Sequence, residues 1–178
     1  MRNVIAATSA IIVFAIVGFT STQSQPSQSK TQAGSVMPVP ITFPAAAGNY
    51  LVNVNADDIA LSGYDAVALQ SESKLVKGSP DNQFKYNGAT YLFVTPENRQ
   101  LFASNAEKYA PMFGGFCAVA ASMGKVERGD PHFWNLHGGR LVLNKNEKAA
   151  MMFRKDPDKF VKKAEDNWPK LLQALGKQ

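Results

Sequence analysis

The chain is poor in the residues that usually carry chemistry: it has one cysteine, Cys117, and two histidines, His132 and His137. A single cysteine cannot form an internal disulfide, so the fold must rest on its core. If residues 133–137 form a strand, the two histidines point to opposite faces and cannot chelate one metal together. No GxSxG elbow, phosphate loop, HExxH pair or dinucleotide fingerprint is present, which removes the enzyme classes that announce themselves by motif. Only 19% of residues are charged. The net charge of +5 comes largely from residues 145–178, where nine Lys/Arg face five Asp/Glu. Lysines and acids alternate there as on a solvated helix face. No basic stripe interleaved with aromatics is present, so nucleic acid is not an expected partner.

Long apolar runs are also missing, with one exception. Arg2 precedes a mostly apolar run from Val4 to Phe19, and small polar residues follow. This pattern predicts a signal peptide over residues 1–22. An uncleaved N-terminal membrane anchor is the alternative, although the run is short for a spanning helix. Residues 23–48, rich in Ser, Gln, Thr, Pro and Ala, predict a flexible linker. Residues 49–178 then form one domain. With 45% hydrophobic residues, the chain of 178 has enough apolar material for one core.

Within the domain the strongest signal runs from Phe84 to Cys117. Asn87-Gly88 between two apolar strands marks a hairpin. Thr95 can cap a following helix, Pro96 suits its first turn, and Leu101 and Phe102 supply a buried face. Asn105 caps a second short helix ending at Tyr109, and Pro111 stops it. Gly114-Gly115 reads as a hinge, followed by a small-residue helix from Ala118 to Met123 that Gly124 ends. Upstream, Tyr50, Val52 and Val54 alternate with Leu51, Asn53 and Asn55 as a short strand, and Ser79-Pro80-Asp81 marks a turn.

The later part repeats the earlier at an offset of 51 residues, the distance from Gly88 to Gly139. Asn87-Gly88 falls on Gly138-Gly139, Thr95 on Asn146, Phe102 on Phe153, Asn105 on Asp156 and Tyr109 on Phe160. Turn, cap, core aromatic and second cap all coincide. Pro169 is expected to force a restart of the last helix, and Trp168 to seal the core edge. The expected fold is α+β: small antiparallel hairpins packed with helices, as two pseudo-repeated hairpin–helix units around a central small-residue helix. Chance likeness of two common hairpin–helix units is the alternative.

These residues resemble the YHS family. Its typical motif runs Asp-Pro-Val-Cys, a Tyr-x-Phe-Cys strand end, a second Cys four residues on, a Phe and a Pro-x-x-Tyr end. The counterparts are Asp65-Ala66-Val67-Ala68, Tyr91-Leu92-Phe93-Val94, Asn98, Phe102 and Ala106-Glu107-Lys108-Tyr109. The order GYD, KGSP, NGATY, ENR, EKYAP, GGFC, GDP, NWP resembles a bacterial exported branch of that family across roughly residues 58–172. The family is associated with heavy-metal handling through its cysteines. Here those places hold Ala68, Val94 and Asn98, which cannot replace thiolate ligands. The resemblance therefore implies the fold and not the site.

Three readings follow. The preferred one is an exported, non-catalytic binding module for a small ligand or a protein partner, with no cofactor. The second is an extracytoplasmic soft-metal protein, binding copper or zinc through Cys117, Met112, Met123 and His132. The third is a cysteine-dependent enzyme in which Cys117 works with His132 and Asp130. A buried Cys117 packing as a small hydrophobe is the plainest fate of that residue. Met151 and Met152, beside Phe153, read as core filling.

Overall fold

Asn87-Gly88 and Gly138-Gly139 each turn a hairpin, with φ of 50°, 78°, 55° and 74°. Positive φ at both central residues is what a tight primed turn demands. The computed structural model describes residues 51–175. The expected signal or anchor (1–22) and linker (23–48) lie outside the described residues. Strands β1 (Ser79–Tyr86) and β2 (Ala89–Phe93) flank the first turn, β3 (Asp130–His137) and β4 (Arg140–Asn144) the second. Each pair is its own two-stranded antiparallel sheet. The ladder slips at matching places, between Ser79 and Gln83 and between Asp130 and Trp134. Pro80 and Pro131, which have no N–H to give, stand at these irregularities.

Each hairpin feeds two capped helices. Thr95 accepts from the Asn98 amide at 3.1 Å to start α2 (Pro96–Ser104). Asn105 accepts from the Lys108 amide at 3.1 Å to start α3 (Ala106–Tyr109). Asn146 and Asp156 do the same for α5 (Glu147–Lys155) and α6 (Pro157–Leu175). These caps satisfy helix-end amides that would otherwise lack acceptors.

The duplication reaches further upstream than the hairpin. A 3-10 turn, Leu61–Gly63, and helix α1 (Ala66–Glu72) precede the first hairpin. A 3-10 turn, Met112–Gly115, and helix α4 (Ala118–Ser122) precede the second. Leu61, Ser62 and Gly63 have φ of 52°, 50° and 81°, and Phe113, Gly114 and Gly115 have 54°, 58° and 80°. Here the offset is 52, the distance from Gly63 to Gly115, and GYDAVA lies on GFCAVA. The glycine hinge and the small-residue helix are thus the opening of the second copy as well as the centre of its core. Turn, helix, hairpin and two helices run through twice without a spacer.

Two apolar clusters result. In the first, Phe102 is fully buried, and the rings of Phe84, Tyr86, Tyr91 and Phe93 surround it at 4.6–6.0 Å. Tyr109 joins them, and so do Leu141 and Leu143 from the second hairpin. In the second, Phe153, Val161, Ala164 and the alanines of α4 pack together. Small side chains let α6 lie close on α4. Trp168 closes the edge against Phe113 and Phe116, at 5.7 and 6.1 Å. Phe160 is half-buried, 6.4 Å from Phe153.

Some expectations fail for physical reasons. Pro169 does not restart the helix, because α6 runs through it to Leu175. Asn167 donates to the carbonyls of Ala121 and Ser122, both at 3.1 Å, and Trp168 is packed. Tertiary anchors on either side of the lost hydrogen bond hold the helix together. Leu101 and Met151 are exposed, at 47% and 56%, so α2 and α5 each turn only one large side chain, Phe102 or Phe153, fully inward. Leu51–Asn55 forms no strand. It lies against the second copy's hinge, where Asn53 donates to Gly114 O from its backbone and to Gly115 O and Gly129 O from its side chain. Among the described residues no helix is long and apolar enough to cross a membrane.

Candidate functional site

Asp65 immediately precedes α1 and is completely buried. A buried carboxylate is tolerated when its lone pairs are taken by good donors. Its Oδ1 accepts from the amides of Val67 and Ala68 at 2.8 and 3.0 Å. Its Oδ2 accepts from the Val94 amide and from Asn98 Nδ2, both at 2.8 Å. One side chain thereby ties the start of α1 to the end of β2 and to α2.

The second copy keeps the frame and changes its contents. Cys117 stands in the Asp65 place. Its amide bonds to Glu127 O as the Asp65 amide bonds to Val76 O, both at 2.9 Å. Val119, Ala120 and Lys145 align with the donors Val67, Ala68 and Val94, while Ala149 aligns with Asn98. The thiol caps neither helix amide. With the carboxylate and asparagine gone, a pocket of about 430 Å³ opens, lined by Cys117, Val119, Met123, Lys145, Ala149 and Met152 among others.

Two polar groups stand near Cys117, Lys145 in the pocket lining and Asn144 outside it. Asn144, fully buried, sets Oδ1 3.9 Å from the Cys117 sulfur. Its Nδ2 has no hydrogen-bond partner, an arrangement that costs roughly 1–3 kcal/mol. The corresponding first-copy residue is Phe93. Lys145 Nζ lies 2.5 Å from Glu127 Oε2. That hydrogen bond holds the ammonium above its usual range, with a smaller contribution from nearby Cys117. Lys125 and Lys148 also line the pocket, against Glu127 as its acid. The lining therefore combines ammonium groups with thioether and aliphatic side chains.

The proposed metal set does not converge as a whole. Met123 lines the Cys117 pocket and is 56% exposed, whereas Met112 is buried in the apolar cluster and lines no part of that pocket. His132 lines a different depression, with Tyr64, Lys77, Arg128, Asp130 and Lys145. Among the described residues no group of three or more His, Cys, Asp or Glu could hold a metal ion. His137 lies 3.7 Å from Asp158 at the surface.

His132 and Asp130 do meet, but with Tyr64 as their third member. Asp130 Oδ1 lies 2.7 Å from His132 Nδ1, and the Tyr64 hydroxyl lies 3.2 Å from His132 Nε2. Burial alone would raise the Asp130 carboxyl, but the His132 amide and ring together bring it below its usual range. Lys145 borders both depressions. A further cavity of about 410 Å³ is lined by Tyr86, Tyr91, Glu107, Arg140 and Trp168 among others. None of the residues singled out from the sequence as ligands lines it.

Asn144, Lys145 and Tyr64 are the site residues that sequence reasoning missed. A buried asparagine at the end of an otherwise apolar strand was the available signal for the first. Scans of family models, curated proteins and solved structures found no match to this chain.

Proposed function

We propose that the protein is an exported, non-catalytic binding module of the YHS kind, whose ligand is a small carboxylate held beside Cys117. One observation carries this reading: a cradle that is closed by the Asp65 carboxylate in the first copy is open in the second. The cradle amides and the Lys145 ammonium suit an anionic head, and Met123, Met152, Val119 and Ala149 suit a short apolar body. The places where the YHS motif has cysteines support the assignment, since Ala68, Val94 and Asn98 all donate to Asp65. Their second-copy counterparts Ala120, Lys145 and Ala149 all line the open pocket.

The test is a titration of the purified protein with acetate, butyrate and hexanoate, followed by amide chemical shifts. Saturable shifts at Val119, Ala120 and Lys145, with affinity rising along the series, are expected. Lys145→Met should weaken binding roughly tenfold, as loss of one charge-assisted contact does. An absence of saturable shifts at millimolar carboxylate would sink the reading. Export is tested by N-terminal sequencing of protein recovered from the extracytoplasmic fraction.

A soft-metal reading keeps one observation, that Cys117, Met123 and Met152 line one pocket. Copper(I) titration of the protein and of Cys117→Ala decides it, with stoichiometric binding lost in the variant if the metal sits there.

A further inference from the structure

We infer that Cys117 is a modification site, at which oxidation to the sulfinate supplies the second copy with the anionic cap that Asp65 gives the first. The inference shares the cradle of the carboxylate reading, but it requires no ligand. A cysteine sulfinate carries two oxygens and one negative charge on the first atom beyond Cβ, as an aspartate does. The aligned donors are the amides of Val119 and Ala120 at the start of α4, and the amide of Lys145 after β4. They correspond to Val67, Ala68 and Val94, each of which donates to Asp65.

Asn144 is an independent sign that an acceptor belongs here. Its side chain is fully buried, its Oδ1 faces the Cys117 sulfur at 3.9 Å, and its Nδ2 has no partner. Native proteins rarely leave such a donor empty. With Asn98 replaced by Ala149, Asn144 is the carboxamide left to fill the fourth donor role. A sulfinate oxygen would take its Nδ2 once the amide turned over. Cys117 lines the pocket but is only 1% exposed, so the oxidant must be one as small as hydrogen peroxide, entering through the pocket.

The chemistry balances with peroxide as the oxidant. The thiolate sulfur attacks one peroxide oxygen, an S–O bond forms and the O–O bond breaks. The departing hydroxide takes up the thiol proton as water, leaving a sulfenic acid. A second peroxide repeats the step on the sulfenate sulfur. In sum one thiol and two peroxides give one sulfinic acid and two waters, and sulfur gives up four electrons. A closed cradle of this kind would also bar an external carboxylate, so oxidation would switch the proposed module off.

The experiment treats the purified protein with graded hydrogen peroxide and maps oxidation by peptide mass, with Cys117→Ala as the control for methionine oxidation. Expected are accumulation of the dioxidised form at Cys117 and a rise in melting temperature of about 3 °C, the size of one gained helix cap. The control should show no such rise. Cys117→Asp should melt above the reduced wild type by a similar margin, and adding Asn144→Ala should remove that gain. If Cys117→Asp fails to fold, the oxidised wild type decides alone. A thiol that resists peroxide, or a sulfinate that lowers the melting temperature, overturns the inference. The oxidation involves no bound carboxylate, so a failed ligand titration leaves this result standing.

Discussion

At the scale of single residues, Asp65 and Cys117 are the same position put to different use. Asp65→Ala removes the acceptor of four donors and leaves them buried. A loss of about 3–5 kcal/mol is expected, as for breaking one side of a buried polar network, read by urea unfolding. Tyr91 gives a pH signature. Burial first, then its neighbour Tyr86, push its phenol far above the usual range. The folded state therefore holds a proton that the unfolded state releases near pH 10. Stability is fully present below that value and falls as pH rises beyond it. Tyr91→Phe should flatten the fall in melting temperature between roughly pH 9.5 and 11. If wild type and variant decline in parallel, the buried phenol is not the cause.

At the scale of elements, the glycines of the two kinds of turn differ in what they tolerate. A Cβ on Gly114 would stand 1.9 Å from the Leu51 carbonyl oxygen, in a backbone at φ +58°. Backbone cannot give way cheaply, and Gly114→Ala should lose about 3 kcal/mol or more. Gly88 at φ +78° has nothing within 4 Å of such a Cβ, so Gly88→Ala should cost only the conformational term of about 1 kcal/mol. Parallel denaturant curves for the two variants check the ranking.

The same elements show what a reader of the sequence could see. Hairpin turns and helix caps are local chemistry, and Asn87-Gly88, Thr95, Asn105, Asn146 and Asp156 all act where they were expected. The cradle was not legible because the repeat changes its offset between helix and hairpin. At the hairpin's offset Asp65 falls on Phe116, and only the shift by one residue brings it onto Cys117. Lys145 reads as one charge among many, and the Tyr64–His132 contact joins residues 68 apart. Pro169 misleads because the rule for proline is local and the anchors that defeat it are not.

At the scale of the whole molecule, the two copies share a core despite their repetition. Leu141 and Leu143 of the second hairpin pack into the cluster around Phe102, and Trp134 lies against it. Phe102→Ala should therefore weaken both copies together, by about 3–5 kcal/mol. Both tryptophans, Trp134 and Trp168, lie in the second copy, so their fluorescence follows that copy, with Trp134 also sensing the cluster around Phe102. In Phe102→Ala the fluorescence and far-ultraviolet transitions should shift down together. A fluorescence midpoint that stays in place while the circular dichroism midpoint drops would show two independent folding units.

The segment that leads into the first copy is fastened to the second. Asn53 bonds to Gly114, Gly115 and Gly129, while Arg128 reaches back to Asn53 and to the Val54 carbonyl. Tension applied at Leu51 would thus be borne by the hinge before Cys117 as well as by the copy to which the chain is covalently joined. A pull on the leading end of this domain is a pull on its open pocket.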